Sequence, residues 1–153
     1  MSDHSVRAWL LEFSQNRIAA VGLHELVEVL SRPRRYHVPL TTPRCHQVLA
    51  WRDQILPVVN LGVARESSSD EPATGSAVTA IAAYQRAPGE QLRHGALELS
   101  VMPKTVTVSD SMACALSDSS PALNELAIAC FSYENLAVPV IDLARMFERV
   151  PGN

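Results

Sequence analysis

Trp51–Leu61 reads WRDQILPVVNL, and Tyr133–Leu143 reads YENLAVPVIDL, 82 positions further on. In register, each copy has an aromatic residue, a charged or polar pair and an aliphatic approach to Pro-Val-β-branched-Asx-Leu. A turn followed by an apolar run rich in Val and Ile is a hairpin entering a buried strand. Two copies imply two similar β-units in one chain. Neither copy carries groups arranged for bond-making chemistry, so the repeat points to binding rather than catalysis. Pro57 and Pro139 cannot donate to a ladder, and each is expected at a strand start, an edge or a bulge.

The rest of the chain punctuates in the same way. Trp9–Phe13 and Ile18–Leu23 flank the turn signal Ser14-Gln15-Asn16 and predict an opening hairpin. Leu23, Leu26, Val27 and Leu30 follow helical spacing, which predicts a short helix stopped by Pro33, with Glu25 and Glu28 in solvent. The stretch from Tyr36 to Pro43 is extended, punctuated by Pro39 and Pro43. Strands are expected at Ala77–Tyr84, Leu92–Val101, Lys104–Val108, Leu123–Tyr133 and Leu136–Leu143, with loops at 87–90 and 109–120. Leu143, Met146, Phe147 and Val150 give a closing helical face. Many short strands with turns every eight to twelve residues or so indicate an all-β class built from small barrels or a sandwich. The polar stretch 65–76 reads as the connection between halves. The chain is therefore expected to be a single domain over 1–153, with one lobe near 9–64 and a second near 77–150.

Composition excludes several classes. The 153 residues are 47% apolar and 19% charged, enough for a core and too apolar for wholesale disorder. A formal charge of −3 gives no basic field for nucleic acid or an acidic membrane. The start MSDHS carries no signal-peptide pattern, and no apolar run reaches the roughly 18 residues of a spanning helix. A cytoplasmic location with no membrane insertion is the expectation. Cys45, Cys114 and Cys130 are widely spaced and odd in number, and read as buried thiols of a reducing compartment.

This arrangement resembles the CheW family, the coupling proteins of bacterial chemosensory arrays, over about 9–147. The family's strand, hairpin tip and Val-Pro-Val-Ile-Asp-Leu strand stand here as Val48–Leu61. Its early Val-x-Glu-Ile-Leu pattern stands as Leu26-Val27-Glu28-Val29-Leu30, its Pro-x-x-x-Pro as Pro39 and Pro43, and its closing motif as Val138–Leu143. The resemblance implies two packed five-stranded SH3-like β-barrels, no catalytic activity and no cofactor. It implies two partners: the regulatory domain of a CheA-type histidine kinase, and the cytoplasmic tip of a chemoreceptor. By family position, Arg52 and Asp53 form the hairpin tip, and Leu26 and Val29 flank Glu28 in the early motif; these are the expected partner-binding residues. Arg52 is placed to offer a planar fork to a receptor carboxylate.

Three positions depart from the family pattern. Asp53 replaces the tip glycine, Gln47 an upstream glycine, and Asn60 the strand-end Asp. An aspartate tolerates a left-handed turn, yet puts a side chain where the family presents bare backbone. A divergent paralogue of a pilus-type system for twitching motility fits as well as a housekeeping coupler, and so does a CheW-like domain that keeps the kinase and has lost the receptor.

A reading from another class is a small-ligand-binding or enzymatic β-barrel using His37, Cys45 or His46. Adjacent Cys45 and His46 in an extended segment point to opposite faces, against a nucleophile–base pair, and their spacing enforces no metal site. His24 and His94 read as ordinary surface or strand residues. Arg32-Pro33-Arg34-Arg35, the basic cluster, lacks aromatic partners for nucleic acid and suits an acidic protein better.

Overall fold

The computed structural model describes residues 4–14, 17–38, 47–60, 78–116 and 121–148. In chain order the strands are β1 (Ser5–Ser14), β2 (Arg17–Gly22), β3 (Leu26–Ser31), β4 (Arg35–His37), β5 (Gln47–Trp51), β6 (Gln54–Val59), β7 (Val78–Tyr84), β8 (Arg93–Leu99), β9 (Lys104–Ser109), β10 (Ala127–Tyr133) and β11 (Leu136–Ile141). Two short helices, α1 (Pro121–Asn124) and α2 (Leu143–Glu148), complete the chain. The strands form a five-stranded sheet, β10-β11-β2-β1-β9, and a six-stranded sheet, β3-β7-β8-β6-β5-β4. The all-β, two-sheet expectation holds, and the sixth strand is β4, a three-residue edge piece.

The repeated sequence is a repeated structure. Arg52 and Asp53 sit at φ 45° and 64°, and Glu134 and Asn135 at 48° and 66°. Positive φ at both central positions is the signature of the type I′ turn, whose twist matches that of the strands. The hairpins then run Trp51↔Gln54 to Gln47↔Val58, and Tyr133↔Leu136 through Cys130↔Pro139 to Ala129↔Val140, with a register shift before Ala127↔Ile141. Ladder bonds alternate along an antiparallel pair. Counting from the turn, Pro57 opposite Val48 and Pro139 opposite Cys130 fall at positions whose nitrogen faces away from the hairpin partner. On that other side pairing begins one residue later, in parallel: Val58 with Ala96 on β8, and Val140 with Ala20 on β2. Each proline thus withholds a donor where the ladder asks for none.

Those parallel pairs exchange strands between the halves. The hairpin β1–β2 joins β9, β10 and β11, while β7–β8 joins β3, β5 and β6. Each sheet therefore draws on both sides of 65–76, and neither 9–64 nor 77–150 makes a sheet from its own strands alone.

Three apolar clusters follow. Between the sheets lie Leu11, Phe13, Val21, Ala80, Ala82, Leu97, Leu99, Ile141 and Phe147, among others. On the far face of the six-stranded sheet are Leu49, Trp51, Leu56, Val58, Ile81 and Ala96. On the far face of the five-stranded sheet are Leu10, Ala20, Phe131 and Val138. Every residue of β7 is buried because its two faces serve two cores, which explains its unbroken run of small and apolar residues.

The helix expected across Leu23–Leu30 is corrected. Only Leu23–Glu25 turn, as 3-10, and Leu26–Ser31 is β3, paired with β7 through a register shift between Leu26 and Glu28. The apolar spacing fits both states; Val27, which a helix would bury, is 41% exposed, and the β-branched Val27 and Val29 suit a strand. Glu25 is not in open solvent either. Its Oε1 accepts from Gly22 N at 2.7 Å, and burial raises its carboxyl above the ordinary range against the opposing effect of that hydrogen bond.

The closing helix α2 buries Leu143, Met146 and Phe147, as its periodicity predicts, while Val150 lies outside the described residues. Phe147 stacks on Tyr84 with ring centroids 5.1 Å apart. Its ring also lies directly on the backbone of Gly95 in β8: a Cβ there would meet ring carbons at 2.3 Å. Gly95→Ala is therefore expected to cost about 1–3 kcal/mol, seen as a lower urea midpoint at unchanged slope. An unchanged midpoint would mean that α2 can lift off β8 freely.

Candidate functional site

The β5–β6 tip is built around Trp51. The residue is buried, 7% exposed, and its indole Nε1 donates to Glu28 Oε2 at 2.8 Å. The next residue, Arg52, enters the turn and folds back, its guanidinium carbon 4.5 Å from the indole centroid. Its Nη2 stands 3.6 Å from the same Glu28 oxygen, with 66% of the Arg52 side chain exposed. An exposed pair of this kind is worth about 0–1 kcal/mol and the cation–π contact about 0.5–1 kcal/mol. The hydrogen bond from the buried indole to the half-buried Glu28 carboxylate contributes more, about 1.5–3 kcal/mol. Glu28 and Trp51 thus hold a flat cation at the surface in one orientation.

His94, on β8, completes the cluster. Its ring centroid lies 4.9 Å from that of Trp51 at 47°. Burial, and then the Arg52 charge, lower its pKa below the ordinary histidine value. The sequence reading of His94 as an ordinary strand residue misses this packing, because it joins residues 43 positions apart in the chain.

The structure brings Arg52 and Glu28 together and leaves Asp53 exposed beside them at the turn. Leu26 and Val29 are placed elsewhere: both are half-buried and pack against the core between the sheets. The exposed apolar groups next in sequence to the tip and to Glu28 are instead Ile55, 76% exposed, and Val27.

Strand register shows a second tip that the sequence reading did not single out. Ile81 pairs with both Ala96 and Glu28; Leu10 pairs with both Ala20 and Lys104. Ala96 and Ala20 are the residues that meet the two repeated strands. Lys104 therefore occupies the place of Glu28, Tyr133 that of Trp51, and Glu134 that of Arg52. Lys104 Nζ lies 5.5 Å from the Tyr133 centroid. The same scaffold carries the opposite charge order at its two tips. The 82-position offset, applied residue by residue, places Glu134 opposite Arg52 in an alignment of the copies.

At the other end of the far-face core of the six-stranded sheet runs a polar seam. Arg35 meets Glu98 at 2.9 Å and donates to Thr79 Oγ1 at 2.6 Å and to Gln47 Oε1 at 3.2 Å. Asn60 Nδ2 donates to Glu98 Oε2 at 2.9 Å. Two departures from the family pattern gain a physical reason here. Gln47 uses its side chain inside the seam, and Asn60 supplies a donor to a carboxylate that an aspartate would repel. The basic cluster is split: Arg35 turns inward, and Arg34 lies over Tyr36 at 5.5 Å.

His37 is exposed on β4, while Cys45 and His46 lie outside the described residues. Among the described residues no group of three or more His, Cys, Asp and Glu could hold a metal ion, and no helix is long and apolar enough to cross a membrane. The buried-thiol reading is corrected for two cysteines: Cys114 is exposed and Cys130 half-buried, both unbridged.

No protein-family model matches the chain, and no curated protein does. Among solved structures, the chain is similar to the crystal structure of the scaffolding protein TtCheW from Thermoanaerobacter tengcongensis, with a TM-score of 0.67 and 12% identity. The match covers 98% of this chain and 97% of that one. The fold is thus CheW-like from end to end, and at this identity the likeness is one of fold.

Two substitutions probe the site. Arg52→Glu replaces a charge that disfavours the imidazolium with one that favours it, so the His94 titration followed by NMR is expected to move to higher pH; an unmoved curve would place Arg52 away from His94 in solution. Asn60→Asp sets a carboxylate against Glu98, and a loss of about 1–3 kcal/mol at pH 7 is expected by urea unfolding. The pair raises a folded-state carboxyl pKa above its unfolded value. The native state then binds the proton first, and the deficit shrinks as pH falls towards about 5. A deficit independent of pH would rule out charge repulsion as its cause.

Proposed function

We propose that this chain is a non-catalytic adaptor that couples a chemoreceptor to a CheA-type histidine kinase in chemotaxis or a related chemosensory pathway. The observation that carries the reading is the end-to-end likeness in fold to a scaffolding protein, over nearly all of both chains. The site agrees with a binding role: its charges are displayed on rigid hairpin tips rather than gathered in a cleft.

In this reading the chain works in the cytoplasm. The Arg52 guanidinium, held flat by Trp51 and Glu28, takes a carboxylate on the receptor's helical tip, with Ile55 and Val27 as apolar neighbours. The kinase regulatory domain docks edge to edge on a sheet. Signalling contacts of this sort are modest in area, and an array multiplies them through avidity. Asp53, exposed where the resemblance has glycine, tunes the choice of receptor, and a pilus-type pathway belongs among those tested.

The test is calorimetry of the full chain against the kinase regulatory domain and a receptor-tip fragment from the same organism. Micromolar binding to both is expected. Arg52→Glu and Glu28→Arg should weaken the receptor about tenfold or more and leave the kinase within about twofold. Kinase binding without any receptor binding would reduce the chain to a kinase-side spacer. Binding to neither would overturn the adaptor reading.

A further inference from the structure

Cys114 and Cys130 face each other across the seam that closes the five-stranded sheet. From β9, at one edge of that sheet, the chain passes through the 3-10 turn Asp110–Met112 to Ala113. Ala113 bridges antiparallel to Phe131 on β10, the opposite edge. The next residue continues the register: Cys114 N donates to Cys130 O at 3.1 Å. A short connection thus ties one edge to the other over the cluster of Leu10, Ala20, Phe131 and Val138, with Met112 packed against it.

The two sulfurs stand 3.3 Å apart, and Cys130 also lies 3.7 Å from Ala115 O. Opposed residues of an antiparallel pair have Cα atoms about 4.5–5.5 Å apart, inside the range of about 4.4–6.8 Å that a disulfide spans. Side-chain rotation then suffices to bring sulfur to sulfur. We propose that Cys114 and Cys130 form a reversible dithiol–disulfide modification site whose oxidant is a low-molecular-weight disulfide of the glutathione type.

The chemistry balances in two exchanges. The exposed Cys114, as thiolate, attacks one sulfur of the small disulfide, breaks its S–S bond and releases one small thiolate. Cys130 then gives up its proton to water and attacks Cys114 Sγ in the mixed disulfide, forming the Cys114–Cys130 bond and expelling the second small thiolate. Two protein thiols are oxidised and one small disulfide is reduced to two thiols. Burial, with a contribution from the adjacent Cys114 thiol, pushes the Cys130 thiol up to about 11, so it is the second to react and its step accelerates as pH rises. The new bond would staple the sheet closed at the seam already marked by the Ala113–Phe131 bridge. The site stands on thiol geometry alone and does not depend on the adaptor reading.

The full-length protein, as wild type and as Cys45→Ser, is equilibrated in oxidised and reduced glutathione. Intact mass should fall by two hydrogens, and a peptide map should link the peptides holding Cys114 and Cys130 in both proteins. Cys130→Ser should stall with one glutathione on Cys114, and Cys114→Ser should form no internal link. The oxidised form should melt about 5–10 °C higher and return on reduction, a shift absent from Cys130→Ser. A linkage through Cys45, or a glutathione adduct on Cys114 that never resolves in the wild type, would overturn the proposal.

Discussion

The structure depends on two parallel pairings, β6 with β8 and β11 with β2. Each joins the end of a repeated hairpin to a strand from the other half of the chain. Without them the copies would be separate hairpins, and an isolated hairpin is at best marginally stable in water. With them, each copy is built into a sheet that also holds strands from the other half of the chain, and the core between the sheets gathers residues from Leu11 to Phe147. Proline at the residue before each junction serves the same end. Its nitrogen faces away from the hairpin partner, so it leaves the hairpin ladder intact and withholds a donor from the other side just upstream of the parallel contact, which helps to fix register where a one-residue slip would turn a whole strand inside out.

The tips inherit their rigidity from this arrangement. A type I′ turn between two strands fixed along their length has little freedom, and Trp51 is anchored from below by its own cluster and from the side by Glu28. The Trp51 ring and Glu28 bias the exposed Arg52 guanidinium towards one orientation. His94 shows the same environment from another side. Its imidazole is held towards the neutral form because the cluster is partly dry and already holds a cation.

Much of the fold was legible because its signals are local. Two-residue turns between aromatic-led strands, Pro at a fixed place in each and a closing 3.6-residue stripe each report on a few neighbouring residues. The failures share one cause, contacts between residues far apart in sequence. The stripe from Leu23 to Leu30 satisfies helix and strand alike, and only pairing with β7 decides between them. Glu28 and Arg52 were singled out by family position, but nothing local shows that Trp51 holds them together. Leu26 and Val29 belong to the same motif yet both face the core between the sheets, because the register shift between Leu26 and Glu28 returns residues three apart to the same side. Asn60 looks like a lost charge until Glu98 is placed beside it. A separation of 16 positions hides the Cys114–Cys130 pair, because the 3-10 turn between β9 and Ala113 is what folds the seam back onto β10.

The two tips raise a problem of discrimination that the fold itself cannot solve. Their backbones are equivalent, down to the paired positive φ values and the aromatic residue before each turn. Shape alone would let any partner that recognises one tip dock on the other. Side-chain charge breaks the tie: Arg52 over Trp51 beside Glu28 at one tip, Glu134 after Tyr133 beneath Lys104 at the other. A carboxylate drawn to the first is repelled by Glu134 at the second, and like-charge contact at an interface costs more than a well-placed opposite pair gains in water. Duplication of a hairpin creates two tips of equal backbone shape, and the exchange of charges between Arg52 with Glu28 and Glu134 with Lys104 makes their surfaces unequal.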